Sequence, residues 1–209
     1  MRWISADRPL LPGLAAYIDV PIAVYLLEGS SAQAYLIARA LTCIVPVALT
    51  PIGWRLWPVV ARAADTLSFS AVQAIAARIN LGYVLITGAL GVLVLWLASQ
   101  FLRGDQSVQV LHWLLLGQCA PLLFGATGLL MRAFGRDAII PLLRIGGALC
   151  LSVTIVSAHL LKGPADGLLL AQATAAVQLT IAATCALLLT QRGVWPGLTA
   201  LAQPRIRLR

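Results

Sequence analysis

Residues 108–137 read VQVLHWLLLGQCAPLLFGATGLLMRAFGRD. The stretch opens as an apolar run of about two dozen residues, enough to cross a hydrocarbon core of roughly 30 Å. Gly117, Gln118, Pro121, Gly125, Thr127 and Gly128 interrupt it, and Arg132, Arg136 and Asp137 close it. A simple anchor has no use for Gln118, because an unpaired amide in hydrocarbon costs free energy. The pattern predicts a membrane helix with one side turned to protein or to a wet cavity.

The rest of the chain agrees with a membrane setting. Of 209 residues 60% are hydrophobic and only 11% charged, against about 25% charged in soluble domains, and the mean hydropathy is +0.91. Six apolar runs of spanning length can be marked: Leu10–Leu27, Ala34–Trp54, Ile79–Phe101, Val108–Met131, Ala138–Leu161 and Gly167–Thr190. Before the first run the chain is polar, with no small-residue cleavage site of the kind that ends a secretory signal. The fold expected is all-α and polytopic, a single six-helix unit over residues 1–209 with a basic tail at 191–209.

The charges test that count. Arg2 and Arg8, then Arg55, Arg62 and Arg78, then Arg132, Arg136 and Arg144, then Arg192, Arg205, Arg207 and Arg209 all fall on one side. Only Arg103 and Lys162 fall on the other, and Arg39 lies inside the second run. The positive-inside rule then places both termini in the cytoplasm. The same topology accounts for the net charge of +8 without a nucleic-acid partner.

Pro46 and Pro51 in the second run each remove a backbone donor and predict a kink or break. The third run is almost wholly Leu, Val, Ile and Gly and is expected to face lipid. Ahead of it, residues 65–80 (DTLSFSAVQAIAARIN) are too short and polar to span. Leu67, Phe69, Val72, Ile75 and Ile79 recur there at helical spacing. This predicts an amphipathic helix on the cytoplasmic membrane face, with Asp65 at its cap. Gly146 and Gly147 in the fifth run permit close helix approach, and Arg144, a turn inside its end, is placed to snorkel. Cys43, Cys119, Cys150 and Cys185 fall in separate runs and read as small apolar residues. No metal or other cofactor is expected.

Asp19 and Arg39 are the sharpest candidates for a site. At 1.5 Å per residue they lie roughly 12 and 7.5 Å below the outer ends of the first two runs, close enough in depth to meet. Ionisable side chains at such depth face a partner or a water-filled cavity. Their functional reading is a charged cavity wall, and the plainer one a structural ion pair. Gln118 joins them. Arg132 and Arg136, at the cytoplasmic end of the fourth run, are placed to grip a phosphate, although topology alone also puts bases there. No intramembrane protease, phosphotransferase, zinc-hydrolase or P-loop signature is present, so no enzymatic activity is expected.

Leu116-Gly117-Gln118, Phe124-Gly125, Gly128-Leu129-Leu130 and Gly135 with the polar pair Arg136-Asp137 resemble the tenth helix of bacterial polysaccharide flippases. These belong to the multidrug/oligosaccharidyl-lipid/polysaccharide exporter superfamily. Asp19 within YIDVPIAVYLL is similar to that family's seventh helix, and Ala34-Tyr35 through Arg39 to its eighth. The resemblance covers most of the chain, as the second half of a family member, although Arg136-Asp137 stands where a His/Asn-type pair is more usual. It implies one lobe of a two-lobe transporter in the bacterial inner membrane, moving a lipid-linked oligosaccharide by alternating access for surface polysaccharide or lipopolysaccharide. A second six-helix lobe, from another chain or another copy, and membrane lipids are the implied partners. It also carries Asp19 and Arg39 over as cavity residues, with Gln118 behind them. The alternatives are a drug or cation antiporter lobe of the same superfamily, and a membrane scaffold that transports nothing.

Overall fold

A computed structural model describes residues 15–66, 69–102, 105–136, 138–163, 166–191 and 193–194. Among them nine helices follow one another: α1 (Asp19–Leu26), α2 (Gly29–Thr42), α3 (Ile44–Thr66), α4 (Phe69–Phe101), α5 (Asp105–Gln118), α6 (Ala120–Phe124), α7 (Thr127–Ala133), α8 (Ile139–Lys162) and α9 (Gly167–Thr190). The protein is an all-α, polytopic membrane protein: five helical stretches, 29–63, 72–100, 106–124, 139–161 and 167–190, are long and apolar enough to cross a bilayer. Of the first expected span, residues 10–14 lie outside the described residues, and α1 supplies only eight residues of regular helix. The basic tail likewise lies outside them, apart from Gln191, Gly193 and Val194.

Two expectations are corrected. The separate surface helix at 65–80 does not form. From Phe69 to Phe101 α4 is one unbroken helix of 33 residues, about 50 Å long and so longer than the hydrocarbon core. Nothing in its first turns breaks it, so the amphipathic stretch is a coaxial extension of the third span. Of its apolar residues, Val72 is buried, and Ile75 and Ile79 pack against the core. Asp65, expected as its cap, sits in the last turn of α3 instead. The fourth span is also not one helix. The chain turns at Cys119 and breaks at Gly125-Ala126, giving α5, α6 and α7 in succession.

The breaks have local causes. Pro46 lacks the N–H that would reach the Thr42 carbonyl, and its ring crowds that carbonyl. The α2–α3 junction falls at Cys43, just beyond Thr42. At Gly125 the backbone has φ 65° and ψ −153°, a conformation that side-chain-bearing residues rarely reach. Ala126 N donates to Asn80 Oδ1 on α4 at 2.9 Å. The side-chain amide of Asn80, fully buried, thus takes over at that step from the missing helical carbonyl.

Packing follows small residues, as membrane interiors favour. Along α4, Val72, Ala76, Asn80, Tyr83, Thr87, Val94 and Ala98 form one buried stripe, while Leu85, Val92, Leu93, Leu95 and Trp96 are exposed. The most apolar side chains thus face outward. α9 lies against α5 and α8 through two glycines. A Cβ on Gly117 would collide with Gln178 Oε1 and stand 3.0 Å from Ala175 Cα, and one on Gly147 would stand 2.6 Å from Val177. α9 starts at the N-cap Asp166, whose side chain accepts from Leu168 N. Asp166 Oδ1 also accepts from Gln106 Nε2 at 2.8 Å, joining the starts of α5 and α9.

Gly125→Ala is predicted to destabilise the protein by about 1–3 kcal/mol through backbone strain. Asn80→Leu should cost about as much by orphaning a buried donor. Equilibrium unfolding of the purified protein in mild detergent measures both, and wild-type stability for either variant would contradict this account of the break.

Candidate functional site

The two charged residues that the sequence places inside the membrane meet. Asp19 opens α1, and Arg39 lies one turn after Tyr35 on α2, so both α2 side chains share a face. Arg39 Nε stands 2.6 Å from Asp19 Oδ2, and Nη2 donates to Asp19 Oδ1 at 3.2 Å. Tyr35 Oη donates to Asp19 Oδ2 at 2.8 Å and lies 3.4 Å from Thr174 Oγ1 on α9. A second contact of Arg39 Nη2 reaches Ala16 O at 3.3 Å, and the guanidinium carbon lies 5.3 Å from the centre of the Tyr17 ring. Asp19 and Arg39 are only 1% and 2% exposed. An ion pair with one guanidinium hydrogen bond, and a tyrosine hydroxyl filling a further acceptor site, offsets the heavy desolvation cost of both charges. Arg39 Nε and Nη1 are both buried and make no hydrogen bond among the described residues, so the Nε approach to Asp19 is an ionic contact.

This cluster forms one wall of a cavity of about 410 Å³, to which α1, α2, α3, α5, α7, α8 and α9 all contribute. Gln118 comes from the end of α5, Thr127 from the start of α7, Thr174 and Gln178 from α9, Thr50 from α3 and Arg144 from α8. The helix breaks matter here. Gln118 lies just before the turn at Cys119, and Thr127 just after Gly125-Ala126, so the interruptions of the fourth span fall where it meets the cavity. Among the described residues its polar lining is amides, hydroxyls, one ion pair and one further arginine, set among apolar side chains such as Ile140, Leu151, Val177 and Ile181. Such a surface can hold water and hydrogen-bond a polar molecule inside the membrane.

The expected residues divide. Asp19, Arg39 and Gln118 line the cavity. Arg132 and Arg136 are exposed and do not. Arg136 instead borders a separate hollow of about 220 Å³ beside Met131, Phe134, Leu188, Leu189 and Gln191. Arg144, read from the sequence as a snorkelling residue close to Arg132 and Arg136, lines the cavity, and so does the pair Thr174 and Gln178, which the sequence reading did not single out. That pair is four residues apart and so on one helix face. All four cysteines are free thiols.

Comparison with known protein families, with characterised proteins and with solved structures finds no match to this chain. The fold and site define a multi-spanning helical membrane protein with a polar intramembrane cavity, and the flippase resemblance rests on sequence motifs alone.

Asp19→Ala and Arg39→Ala are each predicted to cost about 3–5 kcal/mol, because the surviving charge is left buried and unpaired. The double variant Asp19→Leu/Arg39→Met should lose much less than the sum of the two. Thermal unfolding in detergent, run as a double-mutant cycle, measures the coupling, and additive losses would show that the pair does not act as a unit.

Proposed function

We propose that the chain is one lobe of a membrane transporter that moves a lipid-linked oligosaccharide across the bacterial inner membrane, with both termini in the cytoplasm. The observation that carries this reading is the buried Asp19–Arg39 pair set in the wall of a polar cavity between membrane-spanning helices. Charge at that depth is costly and marks pathways for polar cargo far more often than plain anchors. The broken fourth span supports the reading too, since interrupted helices at membrane depth are tolerated where they line a cavity. The motifs around Asp19, Arg39 and Gln118 supply the oligosaccharide part of the proposal.

Alternating access needs a second lobe to rock against. At about 410 Å³ the cavity is at the small end of ligand pockets. One lobe therefore encloses part of a multi-sugar head group and a facing lobe, from a second chain or a second copy, encloses the rest. The cavity's charges favour this cargo over a cation. Its one carboxylate among the described residues, Asp19, is occupied by Arg39 and Tyr35, and a second arginine, Arg144, lines the same space. In this reading the protein carries out transport and no chemistry.

Surface-glycan complementation tests it, with the chain expressed beside its partner lobe in cells lacking their own exporter. Asp19→Ala, Arg39→Ala and Gln118→Leu should each reduce displayed glycan at least about tenfold at equal membrane levels. That size corresponds to about 1.4 kcal/mol of lost transition-state stabilisation. Unchanged display in all three would remove the cavity from transport.

A further inference from the structure

The outer surface of α9 differs from that of its neighbours. The exposed positions of α4 carry Leu85, Val92, Leu93, Leu95 and Trp96, and those of α8 carry Leu142, Leu149, Val153 and Leu160. Large apolar side chains of this kind suit hydrocarbon. Between Leu169 and Leu187, α9 exposes Ala176 and Thr180 instead. These two are four residues apart, on one row of the helix surface, with Gln172 one turn before and Thr184 one turn after. Thr174 and Gln178, which line the cavity, lie on another side of α9, so the row looks out of the bundle. Its two threonines bond carbonyls of their own helix: Thr180 Oγ1 donates to Ala176 O at 2.7 Å, and Thr184 Oγ1 to Thr180 O at 2.8 Å. Gln172 does not. Its half-buried side-chain amide makes no hydrogen bond among the described residues. It lies five residues into α9, about 7.5 Å below the start of the span, where an unpaired amide costs free energy.

We infer that this row of α9 docks a second copy of the chain, with the two α9 helices parallel across a two-fold axis along the membrane normal. The amide selects the partner. A carboxamide carries both donors and an acceptor, so two identical amides brought together by a two-fold satisfy each other. An isologous contact also sets each residue of the row against its own counterpart. Ala176 and Thr180 supply the small-x-x-x-small spacing over which two membrane helices approach closely enough for such a bond. Two copies inserted in the same orientation meet the symmetry without further adjustment. The contact leaves each cavity separate, so the inference stands apart from the transporter reading, in which a facing lobe covers the cavity itself.

The test uses the purified full chain, singly labelled and reconstituted in phosphatidylethanolamine/phosphatidylglycerol liposomes over a range of protein-to-lipid ratios. Single-molecule photobleaching reads the dimer fraction. Wild-type protein should pass from monomer to dimer as the ratio rises. Gln172→Leu should weaken the dimer by about tenfold, and Gln172→Asn should keep part of the affinity. Ala176→Leu, which adds bulk at the crossing, should weaken it as well. Val92→Ala, on the outer face of α4, should stay within about twofold of wild type. In a Cys150→Ser background, Ala176→Cys should give a disulfide-linked dimer on mild oxidation and Val92→Cys should not. Under monomeric conditions in detergent, Gln172→Leu should melt at or above the wild-type temperature, since it removes an amide without a partner; this separates lost association from lost folding. Monomers at every ratio, the result expected if headgroups satisfy the amide, overturn the inference. So does a dimer that survives both Gln172→Leu and Ala176→Leu, or one that crosslinks through α4 and not through α9.

Discussion

A carboxylate and a guanidinium locked together in a low-dielectric interior fix how this protein is assembled. Neither Asp19 nor Arg39 is tolerable alone at 1% and 2% exposure. Their union requires α1 to lie across α2, and the Tyr35 hydroxyl on the same carboxylate brings in α9 through Thr174. Two consecutive helices and one far along the chain therefore share one polar knot. Lipid supplies almost no hydrophobic force between helices, so a directional contact of this kind decides which faces meet. The cavity is the space that remains beside the knot.

The spans themselves were legible. Hydropathy and length depend on the sum of side chains over about 20 residues, and α9 runs from Gly167 to Thr190, the bounds its sequence suggests. The approach of Asp19 and Arg39 was legible as well, because helix rise converts sequence distance to depth. Which face each span buries was not. In a soluble helix apolar residues mark the inner side, but α4 buries Ala76, Asn80 and Thr87 and exposes Leu85, Val92 and Trp96. A search for an apolar stripe finds nothing in such a helix. The useful signal is the reverse, a run of small and polar residues three or four apart.

The same inversion explains the misreading of residues 65–80. Apolar residues at helical spacing suggested a membrane surface, yet a membrane protein offers protein, lipid and interface to an apolar face, and sequence alone does not choose among them. Continuity with the third span decided it. Arg144 was misjudged for a related reason: a base near a helix end satisfies the topology rule, and only three-dimensional placement shows that it turns toward a cavity. Gln118 was read correctly because no topology rule asks for an amide there.

The interruption at Gly125-Ala126 divides the fourth span into pieces of unequal length. α5 packs against α9, whereas α7 is a rod of seven residues, about 10 Å long. Because Asn80 takes the Ala126 amide, that step is held by a side chain and not by a continuous backbone ladder. With Leu129, Leu130 and Met131 buried, the short rod is seated by its neighbours, and Gln118 and Thr127 keep their places on either side of the gap.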